Sequence, residues 1–228
     1  MEVYEHVVEC RECKTKGHDG TPDGVDIASH PTAQKLAARS LDFLQEVKDI
    51  TPGKDLEKRL NRDYGPGNPH YEDFCNYIRQ GFEEGWIATG DLDHGKYRRG
   101  KVRSLAIYAA STDRPLLTYH DLQIQLPLAS NLYMSLTCVY FDSQEEYAGQ
   151  YHKHPYGEIN CVIPIDPGFQ LEGVPVGVNW QGAGWTSLGP GTHHYPRARG
   201  GRGFAFFFLP SGRVAYDAKP EDPQPAMT

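Results

Sequence analysis

In the first part of the chain, apolar residues recur every three to four positions, which is the period of an amphipathic helix. Glycine and proline residues divide this pattern into three segments, and each segment predicts one helix. The predicted helices cover residues 29–50, 54–64 and 70–85, and Gly85 is expected to end the third. Residues 29–85 are therefore predicted to form a small helical region.

From Trp86 onward the apolar period becomes two, which is typical of strands with one buried face. Many short strands separated by Gly, Pro, Asp and Asn favour an antiparallel sandwich or barrel. The predicted strands lie within residues 101–111, 116–126, 131–141, 157–165, 184–189 and 203–217. The fold class predicted for the chain is thus mainly β, with a domain over residues 86–217 that follows the helical region.

Both ends of the chain are polar. Residues 1–28 are rich in charged and turn-forming residues and are predicted to be a flexible extension. Residues 218–228 are acidic and rich in proline, so they are predicted to be disordered. Cys10 and Cys13 form one CxxC pair, but a structural zinc needs four ligands, and a mobile tail is the favoured interpretation.

Composition narrows the classes of function. The formal net charge is -7 at pH 7, which argues against a broad nucleic-acid interface because such an interface usually needs a basic face. The first residues contain no apolar segment of signal-peptide length, and no window of the chain is apolar over the length of a membrane span. We therefore expect a cytoplasmic protein that acts on a small molecule and binds neither membrane nor nucleic acid.

The stretch YHKHPYGEIN, residues 151–160, contains the strongest chemical signal. Residues two apart on a strand point to the same face, so His152 and His154 are expected to enter one cavity. Glu158 and Asn160 have the same parity. Imidazole and carboxylate groups suit Zn, Fe, Mn, Ni or Cu.

A second source of histidine lies downstream in GPGTHHYP, residues 189–196. A Gly-Pro-Gly turn leads into a strand that begins at His193 and His194. These two residues have opposite parity, so only one of them is expected to face the cavity.

Together the two segments resemble the cupin superfamily. Its first motif, H-x-H-x3-E, is present as His152, His154 and Glu158, and its second motif places a glycine three residues before a histidine, as Gly191 precedes His194. The resemblance implies a jelly-roll-like antiparallel β-barrel and a metal held by these four ligands, with His194 chosen over His193. The chain departs from the second motif at Gly189, where the family has proline.

Longer strings, among them HKHPYGEINCVIPID and GWTSLGPGTHHYP, are similar to the 4-hydroxylaminobenzoate lyase family of small cupins, over roughly residues 33–217. This resemblance implies conversion of an aryl hydroxylamine carboxylate to a catechol carboxylate and ammonia. It implies one divalent metal ion (Fe, Zn, Mn or Ni) and no organic cofactor. The metal would polarise the N–O bond as a Lewis acid.

Other residues are candidates for proton transfer and substrate binding. The sequence does not choose among Tyr151, Tyr156 and His193 as proton shuttles, and Glu158 is an alternative base. The substrate-binding candidates are Arg103, Arg197 and Arg199 for a carboxylate, Trp185 for an aryl ring, and Asn160. For each arginine alone a solvated turn is the favoured interpretation, and aromatic residues on strands more often belong to the core.

Two further functions share this donor set. One is another cupin enzyme of a biosynthetic pathway, which forms an N–N bond from a hydroxylamine, adds dioxygen or isomerises its substrate. The other is a non-enzymatic cupin that senses a ligand. Because cupins often dimerise, a homodimer is expected.

Overall fold

The computed structural model of the chain describes residues 29–47, 49–88, 90–91, 97–102, 134–175, 177–211 and 214–225. Several predictions fall outside these ranges. They are the extension at residues 1–28 with its CxxC pair, the strand at 116–126 and most of the strand at 101–111, and the substrate-binding role of Arg103.

Three helices occur in the described ranges, at the positions that the apolar periodicity predicts. They are α1 (Pro31–Val47), α2 (Lys54–Asp63) and α3 (Pro69–Glu83). The side chain of Asn68 caps α3 by accepting a hydrogen bond from the backbone N–H of His70 at 2.8 Å. Gly85 follows the end of α3 with φ of 78°, a conformation that favours glycine. None of the described helices combines the length and apolar character that a membrane crossing requires.

The strands form antiparallel sheets, as predicted for a jelly-roll-like fold. They are β1 (Gly90–Asp91), β2 (Tyr97–Val102), β3 (Met134–Ser143), β4 (Tyr147–Ala148), β5 (His152–Lys153), β6 (Glu158–Pro164), β7 (Gln170–Glu172), β8 (Trp180–Gln181), β9 (Gly184–Leu188), β10 (His193–His194), β11 (Arg197–Arg199) and β12 (Gly201–Pro210). A six-stranded sheet has the order β1-β2-β3-β12-β6-β9, a four-stranded sheet the order β4-β11-β7-β8, and β5 pairs with β10 alone.

The six-stranded sheet lies between the helices and the four-stranded sheet, and its two faces carry different apolar clusters. Strand β12 shows the division: Phe204, Phe206 and Phe208 pack with the helices, whereas Ala205 and Phe207 face the other sheet. Side chains on a strand alternate between faces, so a continuous apolar run such as FAFFF fills both clusters. The helices share a core with the sheet, and the mainly β fold with an N-terminal helical region is confirmed.

Helix α2 covers the outer edge of β9. Asn61 mimics a neighbouring strand: its Oδ1 accepts a hydrogen bond from the backbone N–H of Trp185 at 2.9 Å, and its Nδ2 donates to the backbone oxygen of Trp185 at 2.8 Å. Glu57 accepts from the N–H of Ser187 at 2.8 Å, and burial raises the pKa of this carboxyl. These side chains satisfy backbone groups that an exposed edge would offer to another chain.

Replacing Asn61 tests this edge contact. Asn61→Ala should lower the free energy of unfolding by about 1–3 kcal/mol, because backbone groups of β9 lose their partners in a partly buried place. Urea unfolding measures the change. Asn76→Ala, at an exposed position of α3, is the matched control and should change the stability much less. Equal stability of the two variants would contradict this role of Asn61.

Candidate metal centre

The two-stranded ribbon of β5 and β10 positions two of the predicted ligands. Its antiparallel register places His194 opposite His152 and His193 opposite Lys153. Paired residues share a face of the ribbon and neighbouring residues alternate. His152 and His194 therefore lie on one face, and His193 lies on the other.

Three imidazoles converge on this face. The Nε2 atom of His154 lies 3.0 Å from Nε2 of His152 and 3.1 Å from Nε2 of His194. A neutral imidazole nitrogen carries either one proton or one lone pair, so Nε2 of His154 makes at most one of these two contacts as a hydrogen bond. Three converging lone pairs are instead the arrangement that a transition-metal ion accepts. The three residues could thus hold a metal ion.

Burial keeps two of the three imidazoles neutral. Burial lowers the pKa of His154 and of His194 well below the ordinary value, and the neighbouring imidazoles lower the pKa of each further. Neutral imidazole is the form that binds a metal. The Nδ1 atoms of His154 and His194 are buried with no hydrogen-bond partner among the described residues. The three converging Nε2 atoms fit the metal that the resemblance implies.

Glu158 stands beside His154, not among the converging nitrogens. Its Oε2 lies 3.4 Å from Nδ1 of His154, on the ring atom that does not face the other histidines. Asn160 donates hydrogen bonds from Nδ2 to Oε1 of Glu158 at 2.7 Å and to Oγ1 of Thr186 at 3.1 Å. A buried carboxylate in this place can orient the imidazole. For Glu158 to serve as the predicted fourth ligand, its side chain would have to turn from His154.

His193 and Tyr151 form a pair on the opposite face of the ribbon. The Nε2 atom of His193 lies 3.2 Å from the carbonyl oxygen of Pro223, which can only accept, so this nitrogen carries the proton. The Nδ1 atom then accepts a hydrogen bond from the hydroxyl of Tyr151 at 2.5 Å. The predicted choice of His194 over His193 agrees with this arrangement. The predicted proton shuttles Tyr151 and His193 face away from the three converging imidazoles.

A cavity of about 490 Å³ adjoins this pair. Tyr151, His193 and Tyr195 line it from the ribbon, and Pro220 and Gln224 line it from the end of the described chain. The sequence predicts disorder for residues 218–228, but residues 218–225 have defined contacts here. Their composition supplies no apolar core of its own, so their order comes from hydrogen bonds to the ribbon, which composition does not reveal.

The predicted substrate-binding arginines have other partners. Arg197 donates to Glu172 from Nε and Nη2, and from Nη1 to Oε1 of Glu146 at 2.7 Å. Arg199 donates to Oε1 of Gln170. Its guanidinium carbon lies 3.9 Å from the centroid of the Trp180 ring. Ala198 between them faces the interior of the two sheets, so both arginine side chains take the other face of β11, where Arg197 lines the cavity next to Tyr151 and His193.

Trp185 does not line the site. It is 0% exposed, stacks on Phe43 with 4.8 Å between ring centroids, and donates from Nε1 to the backbone oxygen of Tyr64 at 2.7 Å. Its position on β9 faces the helices, so the predicted contact with a substrate ring is wrong. Tyr156 is 49% exposed in the turn between His154 and Glu158.

Two residues near the site escaped the sequence interpretation. The ring of Tyr216 lies 6.0 Å, between centroids, from that of His152. Gln224 contacts His193. Tyr216 lies within the last predicted strand, residues 203–217, where its alternation gives a signal, whereas no local pattern singles out a glutamine in a proline-rich tail.

Comparisons with known proteins show which family the chain resembles. A family profile described as PnbB: 4-hydroxylaminobenzoate lyase matches residues 38–216. A 4-hydroxylaminobenzoate lyase of Nocardioides sp. (strain LMS-CY) is 42% identical over 189 residues, which are 83% of this chain and 97% of that protein. A protein of the same name from Pseudomonas putida is 39% identical over 191 residues, 80% of this chain and 94% of that protein.

Among solved structures, DMSP lyase DddQ from Ruegeria pomeroyi DSS-3 aligns with 85% of this chain and all of its own. The TM-score is 0.37 and the sequence identity 14%. A likeness at this level supports no conclusion about function.

Two replacements test the centre: one removes a converging imidazole, and the other removes the imidazole on the opposite face of the ribbon. His154→Ala should bind a divalent metal more than about 100-fold more weakly, because loss of a ligand exceeds the effect of losing an outer partner. His193→Ala, the matched variant on the other face of the ribbon, should retain its metal. Elemental analysis and calorimetric titration of metal-free protein measure both. Loss of the metal in His193→Ala alone would contradict the assignment.

A second variant tests the carboxylate beside His154. Asn160→Ala removes the hydrogen bond to Glu158 and should weaken metal binding by about 10–100-fold, since partners of ligating histidines affect affinity to this degree. The same titration measures the change. Cys161→Ala alters the next residue on the opposite face of β6 and should leave the affinity unchanged; an equal effect of both replacements would point to general destabilisation.

Proposed function

This chain belongs to the 4-hydroxylaminobenzoate lyase family, and we propose that it converts 4-hydroxylaminobenzoate and water to 3,4-dihydroxybenzoate and ammonia. The nitrogen–oxygen and carbon–nitrogen bonds break, and two ring carbons each gain an oxygen. The nitrogen is reduced while the ring is oxidised, so no external oxidant is needed. The observation that carries the proposal is 42% identity to a lyase of this name across 97% of its length.

We further propose that His152, His154 and His194 hold one divalent metal ion. Support comes from the three converging nitrogens and from the burial that keeps His154 and His194 neutral. Such an ion supplies a Lewis acid for the oxygen of the hydroxylamino group. The donor set suits Fe, Zn, Mn or Ni, and its nitrogens alone do not select one of them.

The remaining residues of the centre act on the imidazoles. Glu158 is proposed to accept a hydrogen bond from Nδ1–H of His154 after a small shift of the carboxylate from its present 3.4 Å, which leaves the lone pair of Nε2 directed at the other histidines. Asn160 and Thr186 hold the carboxylate in its buried place. Asn160 bonds Oε1 of the carboxylate, and Oε2 lies 3.4 Å from Nδ1 of His154.

Ammonia release tests the reaction directly. Without oxygen, the purified protein should release one ammonia for each 4-hydroxylaminobenzoate consumed, since the reaction takes its second oxygen from water. Removal of the metal with a chelator should stop turnover, and restoring the metal should restore it. Coupled ammonia detection and separation of the aromatic products measure the outcome.

Matched variants accompany this assay. His154→Ala should be inactive, and Val178→Ala, at a 77% exposed position, should keep full activity. A requirement for oxygen would favour a dioxygenase instead. Consumption of the substrate with no release of ammonia would refute the proposed lyase reaction.

A further inference from the structure

The last described residues run along both outer edges of the ribbon. Ala215 exchanges two backbone hydrogen bonds with Lys153 of β5, at 2.7 and 2.9 Å. Gln224 accepts from the backbone N–H of His193 at 3.3 Å and donates to its backbone oxygen at 2.6 Å. In an antiparallel ribbon, neighbouring residues direct their backbone groups to opposite edges. Ala215 and Gln224 thus pair the groups that β5 and β10 do not pair with each other.

The same segment also holds the His193 ring and the turn before β10. The ring donates to the backbone oxygen of Pro223 at 3.2 Å, and Nδ1 lies 3.2 Å from Nε2 of Gln224. A Cβ built at Gly191 would lie 3.7 Å from the ring of Pro225, so this proline packs beside the Gly-Pro-Gly turn. Three consecutive residues, 223–225, therefore contact β10 and the turn that precedes it.

Only part of this arrangement falls within the family match, which ends at residue 216. The pairing of Ala215 with Lys153 lies inside the match. The contacts of Pro223, Gln224 and Pro225 lie outside it. Residues 217–225 are named here the C-terminal clasp.

We propose that the C-terminal clasp positions the metal centre, with Gln224 as the positioning residue. Strand β10 contains two residues, and a ribbon this short is marginal without further partners. By bonding both backbone groups of His193, Gln224 fixes the register of β10. His194 is the next residue, so its imidazole is held against His152 and His154. This inference rests on the proposed metal site but not on the identity of the substrate.

Gln224→Ala in the full-length chain tests the clasp by two measurements. The backbone amide of His193 should exchange with deuterium up to about tenfold faster, because it loses its hydrogen bond. The affinity of the metal-free protein for Zn²⁺ should fall about tenfold, as for other partners that orient ligating histidines. Gln224→Glu keeps an acceptor for the His193 N–H but loses the donor, so its effect should be intermediate.

The matched control is Lys219→Ala, an exposed position of the clasp, which should change neither measurement. Unchanged exchange or unchanged Zn²⁺ affinity in Gln224→Ala overturns the proposal, and so does an unaltered chain that binds no Zn²⁺. If the clasp measurements come out as expected but no ammonia is released from 4-hydroxylaminobenzoate, only the proposed reaction fails. The two proposals can therefore fail separately.

Discussion

The alternation of side chains along β6 is the constraint on which the rest of the molecule depends. Ile159, Cys161 and Ile163 face the helices and belong to the larger apolar cluster. Glu158 and Asn160 take the other face and meet His154 there. A slip of one residue would bury a carboxylate among the helices and remove it from the imidazoles, so the core and the centre enforce the same register.

Helix α2 covers the edge strand that pairs with β6 and so stabilises the register of β6. The edge strand β9 pairs with β6, and Asn61 and Glu57 occupy its free backbone groups. Trp185 then stacks on Phe43 of α1 and ties the helices to the sheet. The helical region is therefore a layer of the same core, and its packing on one face of the sheet leaves the opposite face for the site.

The sequence predicted the local elements well because their periods follow from backbone geometry. Helices α1 to α3 and strands β3, β6, β9 and β12 lie where the apolar spacing places them. Strands of two or three residues, such as β5 and β10, are too short to produce a periodic signal. The sequence also did not show whether Trp185 belongs to a pocket or to the core, because an aromatic residue on a strand suits both equally. The homodimer and the cytoplasmic location stay predictions.

By itself the sequence singled out the three histidines that converge, because strand parity groups His152 with His154 and the resemblance to the second cupin motif selects His194. It also determined the family, through strings that span most of the chain. Only the tertiary structure decided that Glu158 stands behind His154, that Arg197 is already paired with two glutamates, and that Gln224 reaches His193. These contacts join residues of different segments, most of them far apart along the chain. Packing and register select them, and no local period along the chain encodes such a choice.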